Sequence, residues 1–269
     1  MGKRESYEPG TFCWVDLATT DPAGAKAFYA ELFGWEAEDV PAGEGGIYTV
    51  FRLDGDEVCA LYEVCALYEM DAQRRDQGVP PQWFSHVSVE DADAIAARAD
   101  QLGGDSFEGA FDVGEAGRIA VIKDPSGAEL GAWQQTGVHI GARRVNDPGC
   151  MTWNELQTRD ARVTAAFYAE LFGWEMEPQE DDGRLAYVVI KNAGRANGGI
   201  MPMAEQHGDT PPYWLAYFTV TSCDDAVAKA RELGGEVLAG PIDLGAGRIA
   251  VLTDPQGAPF AFFEGETDD

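Results

Sequence analysis

Apolar and polar positions alternate along Phe12–Thr19. Val15 and Leu17 share one face and Trp14 and Asp16 the other, the period-two pattern of a strand. Asp21-Pro22 then reads as a helix start, with a carboxylate placed to cap free N–H groups and a proline at the first helical position. The helix carries Phe28 and Leu32 on one stripe and stops at Gly34. The same succession recurs in the second part of the chain: a strand in Met151–Asp160, Asp160 as cap, Phe167 and Leu171 as stripe, and Gly173 as stop. Further strands are predicted around Ile47–Leu53 and Ala186–Lys191. A second strand–helix unit begins at Trp83 and again at Trp214, each helix ending on a glycine pair, Gly103-Gly104 and Gly234-Gly235. GRIAV and a DPxG turn follow in both places, leading to closing strands at Ala128–Gln134 and Ala258–Glu264.

These correspondences are an internal repeat. FYAELFGW occurs identically at Phe28–Trp35 and Phe167–Trp174, an offset of 139 positions. The chain is therefore a unit of roughly 130 residues, duplicated and fused, and each half reads β-α-β-β-β twice. A period that long predicts two domains, each burying its own core. The division is expected at 1–136 and 150–269, joined by a linker over 137–149 that holds His139, Asn146 and Pro148. FYAELFGW itself reads as a packing device, since an apolar helical stripe is usually core. A shorter repeat, EVCALY, stands at Glu57–Tyr62 and again at Glu63–Tyr68. Without one copy the Trp35–Trp83 spacing falls from 48 to 42, near the 40 between Trp174 and Trp214. Six residues thus look inserted into a pre-existing strand. Six is an even number, so either copy could fill that strand with the same faces, and local heterogeneity is expected over Asp54–Met70.

Composition narrows the function. A formal charge of −28, spread along the chain, repels phosphate backbones and anionic lipid, which argues against nucleic-acid and membrane roles. Five cysteines without a CxxC pair suit neither a disulfide framework nor a metal cluster. The opening MGKRESYEPG has no apolar signal region, so a cytoplasmic protein is expected, as monomer or homodimer.

The strand–Asp–helix–FYxxLFGW opening, the VEDADA unit and the closing DPxG strand resemble the vicinal oxygen chelate superfamily, which includes glyoxalase, extradiol dioxygenases and bleomycin-resistance proteins. More narrowly, the chain is similar to double-unit actinobacterial proteins labelled hydroxylases. The resemblance implies an α+β fold in which four tandem βαβββ modules form U-shaped, partly open barrel-like sheets, with helices outside and ligand on the concave face. It also implies a divalent metal held by His and Glu. Carried over position by position, those ligands fall on Trp14, Phe84 and Gly131 in the first half and on Trp153, Leu215 and Ala261 in the second. None of these can donate a lone pair to a cation, so no metal and no cofactor is expected.

Other chemistry can stand on the same faces. Asp16 and His86 each lie two residues past an emptied ligand position, on the same side of their strands, and are expected to approach one another as a general-base pair. The second half offers Glu155 and Tyr217 instead. His139 and His207 fall in loops, where solvated roles are expected. Trp14, Phe84 and Trp133 line one face, and Trp153, Tyr217 and Phe263 the other. Aromatic walls with few polar groups suit a flat aromatic or polyketide-like metabolite. Two functions follow: a metal-free small-molecule-binding protein with an accessory or resistance role, its site preferred in the first half, or an enzyme of the same superfamily, hydroxylase, lyase or dioxygenase-like, using Asp16 and His86 or a non-standard site.

Overall fold

The computed structural model describes residues 2–42, 46–63, 80–107, 109–204 and 207–267. Among these, the first half contains β1 (Phe12–Thr19), α1 (Pro22–Phe33), β2 (Glu36–Ala42), β3 (Gly46–Leu53) and β4 (Asp56–Glu63). A second module follows: β5 (Gln82–Ser88), α2 (Ala92–Gln101), β6 (Ala110–Val113), β7 (Gly117–Lys123) and β8 (Glu129–Gln135). The second half repeats the series as β9 (Met151–Thr158), α3 (Ala161–Phe172), β10 (Glu175–Asp181), β11 (Arg184–Asn192), β12 (Arg195–Pro202), β13 (Tyr213–Thr219), α4 (Cys223–Glu232), β14 (Glu236–Leu244), β15 (Gly247–Thr253) and β16 (Pro259–Gly265). This is the α+β arrangement of four βαβββ modules that the resemblance implies.

Each half forms one eight-stranded sheet, ordered β2-β3-β4-β1-β5-β8-β7-β6 and β10-β11-β12-β9-β13-β16-β15-β14. The two modules of a half meet where β1 runs antiparallel to β5, and β9 to β13. Local chemistry sets the helix ends. Asp21 accepts the Gly24 N–H at 3.0 Å, and Gly34, at φ 75, closes α1 in the left-handed region that glycine adopts freely. Asp160 holds the equivalent position of α3 but makes no side-chain capping bond. Its backbone at φ −108, ψ 49 departs from the extended geometry that aims a capping carboxylate at the free N–H groups. The first EVCALY copy fills β4, with Val58 to Tyr62 buried. Apart from Glu63, the second copy lies outside the described residues. Asp54 and Gly55 form the β3–β4 turn.

The core departs from the expectation of two self-sufficient halves. One buried cluster joins Phe28, Tyr29 and Trp35 of the first half to Phe218, Val227, Leu252, Phe260 and Phe262 of the second. The other joins Ala96, Ile122 and Leu130 of the first half to Phe167, Tyr168, Trp174 and Ile190 of the second. Sheets are built within halves, but hydrophobic cores are built across them. FYAELFGW makes the crossing. Trp35 Nε1 donates to Gly149 O at 2.8 Å, and Trp174 Nε1 to Gly10 O at 2.7 Å, each tying down the start of the other half's first strand. Tyr29 OH donates to Asp254 at 3.1 Å and accepts from Trp83 Nε1 at 3.1 Å. Tyr168 does the same between Asp124, at 3.1 Å, and Trp214, at 3.2 Å. The aspartates are those of the two DPxG turns, and their other oxygens cap those turns.

Candidate functional site

In the first half the candidate residues Trp14, Phe84 and Trp133 are part of the first shared cluster, whereas in the second half Trp153, Tyr217 and Phe263 belong to a small separate one. In the first half β1 sets Trp14 opposite His86 and Asp16 opposite Phe84, while the parallel β5–β8 pair sets His86 beside Gly131. The cross-strand row is therefore Trp14–His86–Gly131, and the middle position belongs to His86 where the sequence had placed Phe84. A Cβ at residue 131 would collide with His86 Nδ1, so the imidazole lies where only glycine leaves room.

The expected pair forms. His86 Nε2 lies 3.1 Å from Asp16 Oδ2, diagonally across the strands, with both residues buried. Tyr48 OH donates to the same oxygen at 3.1 Å and accepts from Trp14 Nε1 at 2.9 Å. Asp16 Oδ1 and His86 Nδ1 are buried and make no hydrogen bond to the protein. An ionised Asp16 makes Nε2 the donor, which leaves Nδ1 an acceptor in the neutral ring. The pair thus keeps one buried, unpartnered polar atom on each member.

The second half builds the same frame with other residues. Trp153 stands opposite Tyr217, and Tyr217 beside Ala261. Trp153 Nε1 donates to Tyr187 OH at 3.0 Å, and Tyr187 OH to Glu155 Oε2 at 2.8 Å. Glu155 Oε1 accepts from Tyr217 OH at 2.9 Å and Gln157 Nε2 at 2.6 Å. Burial pushes the Glu155 carboxyl above its ordinary range, against the pull of these three donors. Tyr48 and Tyr187 were not singled out from the sequence. The repeat offset of 139 pairs them, as it pairs Trp14 with Trp153 and Asp16 with Glu155.

The two faces differ in exposure. Trp14, Phe84 and Trp133 are 3%, 7% and 6% exposed, with Ile119 and Val121 buried beside them. On the repeated strands Trp153, Phe263, Ile249 and Val251 are only partly buried, although Leu215 and Tyr217 between them are as covered as Phe84. His139 explains part of the contrast. It is not a solvated linker residue: its ring stands edge-on to Trp14 at 4.7 Å and to Trp133 at 5.5 Å, and Nδ1 lies 3.3 Å from Glu57 Oε2. The linker itself packs down, with Ala142 N donating to Cys13 O and Arg143 N to Glu57 O.

A transition-metal site of the His/Glu type does not fit these residues. The rows Trp14–His86–Gly131 and Trp153–Tyr217–Ala261 hold one imidazole between them, and Glu155 is engaged by three donors. Among the described residues no group of three or more His, Cys, Asp or Glu side chains could hold a metal ion. No described helix is long and apolar enough to cross a membrane.

Family models match both halves: Glyoxalase/Bleomycin resistance protein/Dioxygenase superfamily over residues 11–131, and Glyoxalase-like domain over 150–263. "Putative glyoxylase CFP32" of Mycobacterium tuberculosis is 40% identical over 265 residues, covering 97% of each chain. The chain belongs to the glyoxalase/bleomycin resistance/dioxygenase superfamily. Within this superfamily it is also 36% identical over 265 residues to the anthracycline biosynthesis protein DauV of a Streptomyces species, covering 96% of this chain and 94% of that one. The superfamily fold is shared with the Mn(II)-bound glyoxalase of Novosphingobium aromaticivorans, at TM-score 0.64 and 17% identity, covering 100% of this chain and 85% of that one. The 2,3-dioxygenase LapB of Pseudomonas sp. KL28 also shares it, at TM-score 0.64 and 13% identity over 98% and 96% of the two chains.

Proposed function

We propose that this superfamily member binds a flat, largely apolar organic molecule without a metal, in an accessory or resistance role, and that the binding face is that of the second half. The observation that carries this reading is the contrast in exposure. Trp153, Phe263, Ile249 and Val251 present partly open apolar surface, whereas Trp14, Phe84 and Trp133 are already covered. The sequence favoured the first half because it holds the histidine; packing favours the second. Glu155 forms a polar floor beneath the aromatic wall, and the exposed Ile242 and Leu244 extend the apolar strip along β14, opposite Ile249 and Gly247. The anthracycline biosynthesis relatives make a fused-ring aromatic a natural ligand class to test.

Stacking one face of such a ligand on a tryptophan contributes on the order of 1 kcal/mol beyond area burial, and each buried Å² of apolar surface about 25 cal/mol. Micromolar affinity is thus within reach after ordering costs. Titration of tryptophan fluorescence with a panel of fused-ring aromatics is the test. Trp153→Ala is expected to weaken binding at least tenfold, about 1.4 kcal/mol. No quenching by any member of the panel, or equal binding by Trp153→Ala, would reject this reading.

A second reading rests on the buried, unpartnered atoms Asp16 Oδ1 and His86 Nδ1. An Asp–His pair with a free ring nitrogen can take a proton from a bound substrate as a general base. Turnover that survives a chelator and is lost in His86→Ala would select it; tight stoichiometric binding without product would not.

A further inference from the structure

His139 holds the position of a bound ring. It is edge-on to two buried tryptophans, Trp14 and Trp133, its Nδ1 faces the Glu57 carboxylate, and Trp133 Nε1 donates to its carbonyl at 3.3 Å. Two indoles beside one carboxylate form a receptor of definite chemistry. Perpendicular packing against two indoles suits a flat ring, the negative charge favours a cation, and the carboxylate selects one with an N–H to donate. Hydrogen bonding to His139 holds the Glu57 carboxyl below its usual range, ahead of burial, which opposes it, and of Arg52. Arg52 contacts the other carboxylate oxygen, Oε1, at 3.0 Å, which leaves Oε2 directed at the imidazole.

Leaving this position requires little of the backbone. Val138 is 85% exposed, and the His139 side chain retains 20% exposure, so the imidazole can swing to solvent by side-chain rotation. The flanking chain stays anchored: Ile140 and Ala142 are buried, and Tyr7 OH donates to Ala142 O at 2.7 Å. We propose that Trp14, Trp133 and Glu57 form a second binding site, for planar cationic nitrogen heterocycles bearing an N–H, and that His139 is its resident occupant, displaced when such a ligand enters. The site is independent of the second half's face, because Trp153 and Phe263 take no part in it. An occupant tethered in the same chain competes at a high effective concentration, so the unmodified protein binds such ligands weakly and removal of the imidazole unmasks the site.

The experiment uses the full chain with two probes, imidazolium and 1,3-dimethylimidazolium, read by tryptophan fluorescence. His139→Gly is expected to bind imidazolium at least tenfold more tightly than the unmodified protein. Adding Glu57→Gln to His139→Gly should remove at least tenfold of that affinity. The dimethyl probe, which has no N–H, should bind the His139→Gly variant more weakly than imidazolium. Trp153→Ala should change none of these values. In the unmodified protein the His139 Cε1–H resonance, shifted by the two indole rings, should move toward its free-chain position as imidazolium saturates; this measurement needs no variant to fold. Equal affinity with and without the His139 imidazole, indifference to Glu57→Gln, or a His139 resonance that stays fixed at the highest soluble probe concentration would each overturn the proposal.

Discussion

Tyr29→Phe tests the claim that the cores are shared between halves. The ring is fully buried and stacks against Trp35, while its hydroxyl bridges Trp83 of its own half and Asp254 of the other. Removing that oxygen leaves the ring in place but strands two buried groups. The indole N–H of Trp83 loses its acceptor, which costs about 1–3 kcal/mol, and Asp254 Oδ2 loses a donor to a charged group, about 1.5–3 kcal/mol. Partial relaxation brings the expected loss to roughly 2–4 kcal/mol, a large share of a typical stability of about 5–15 kcal/mol. For a chain of this size the midpoint of thermal unfolding should fall on the order of 10 °C. Urea denaturation followed by both tryptophan fluorescence and far-UV circular dichroism gives the sharper reading. Because Tyr29 belongs to a core drawn from both halves, the whole transition should shift as one, with the two probes coincident. Tyr168→Phe, its counterpart beside Asp124 and Trp214, should produce a loss of similar size. A biphasic transition in which Tyr29→Phe moves only one phase would refute the shared-core argument, as would a loss below about 0.5 kcal/mol, the level of an ordinary surface substitution.

Other outcomes follow from the geometry. Gly131→Ala drives a methyl group into His86 and should break the Asp16 contact; the His86 ring resonances should move from their positions in the unmodified protein, and unchanged resonances would place the imidazole elsewhere. Burial raises the Asp124 and Asp254 carboxyls above their ordinary range. Groups shifted upward favour the folded state most fully below the unfolded carboxylate value, and that contribution is lost as pH rises through the folded value. Stability should therefore increase on acidification into the weakly acidic range, and Asp124→Asn with Asp254→Asn should flatten the dependence; a double variant with the parental pH slope would contradict this. Deleting Glu63–Tyr68 keeps Asp56–Tyr62 of β4 and brings Glu69 to the position of Glu63, so circular dichroism and the unfolding midpoint should change little; loss of soluble protein would show that the second copy is required.

Much of this architecture was legible because it is written twice. The strand with Trp14 and Asp16, the Asp21 helix start and the Gly34 stop are local signals, and the second copy carries Trp153, Glu155, Asp160 and Gly173 at the same offset. β2 and β10 were not located, since their exposed, acidic sequences carry no apolar alternation for a periodicity to find. The Asp16–His86 contact could be anticipated from strand parity, whereas the part of Tyr48 could not: its hydroxyl reaches Asp16 from two strands away. Parity also says which face a residue occupies but not which partner stands beside it. Carrying the family's ligand positions over by sequence put Phe84 in a row that belongs to His86, two residues on along the same face. The shared core was hidden for a related reason. Phe28 and Phe167 announce burial, but nothing in a helical stripe identifies the sheet that receives it. The inward turn of His139 depends on Glu57, 82 positions earlier in the chain, a pairing no local pattern encodes.

Cores drawn from both halves also impose an order of events on synthesis. Phe28, Tyr29 and Trp35 emerge from the ribosome well ahead of Phe218, Phe260 and Phe262, which cover them from 183 to 234 positions further along the chain. At about 5–20 residues per second, the first half waits on the order of ten seconds with an aromatic surface open to any neighbour. The −28 charge then acts as a guard, because nascent chains that repel one another are slow to join through that surface. The same delay gives the acidic edge strand β2 a use during the birth of the protein that the finished fold no longer displays.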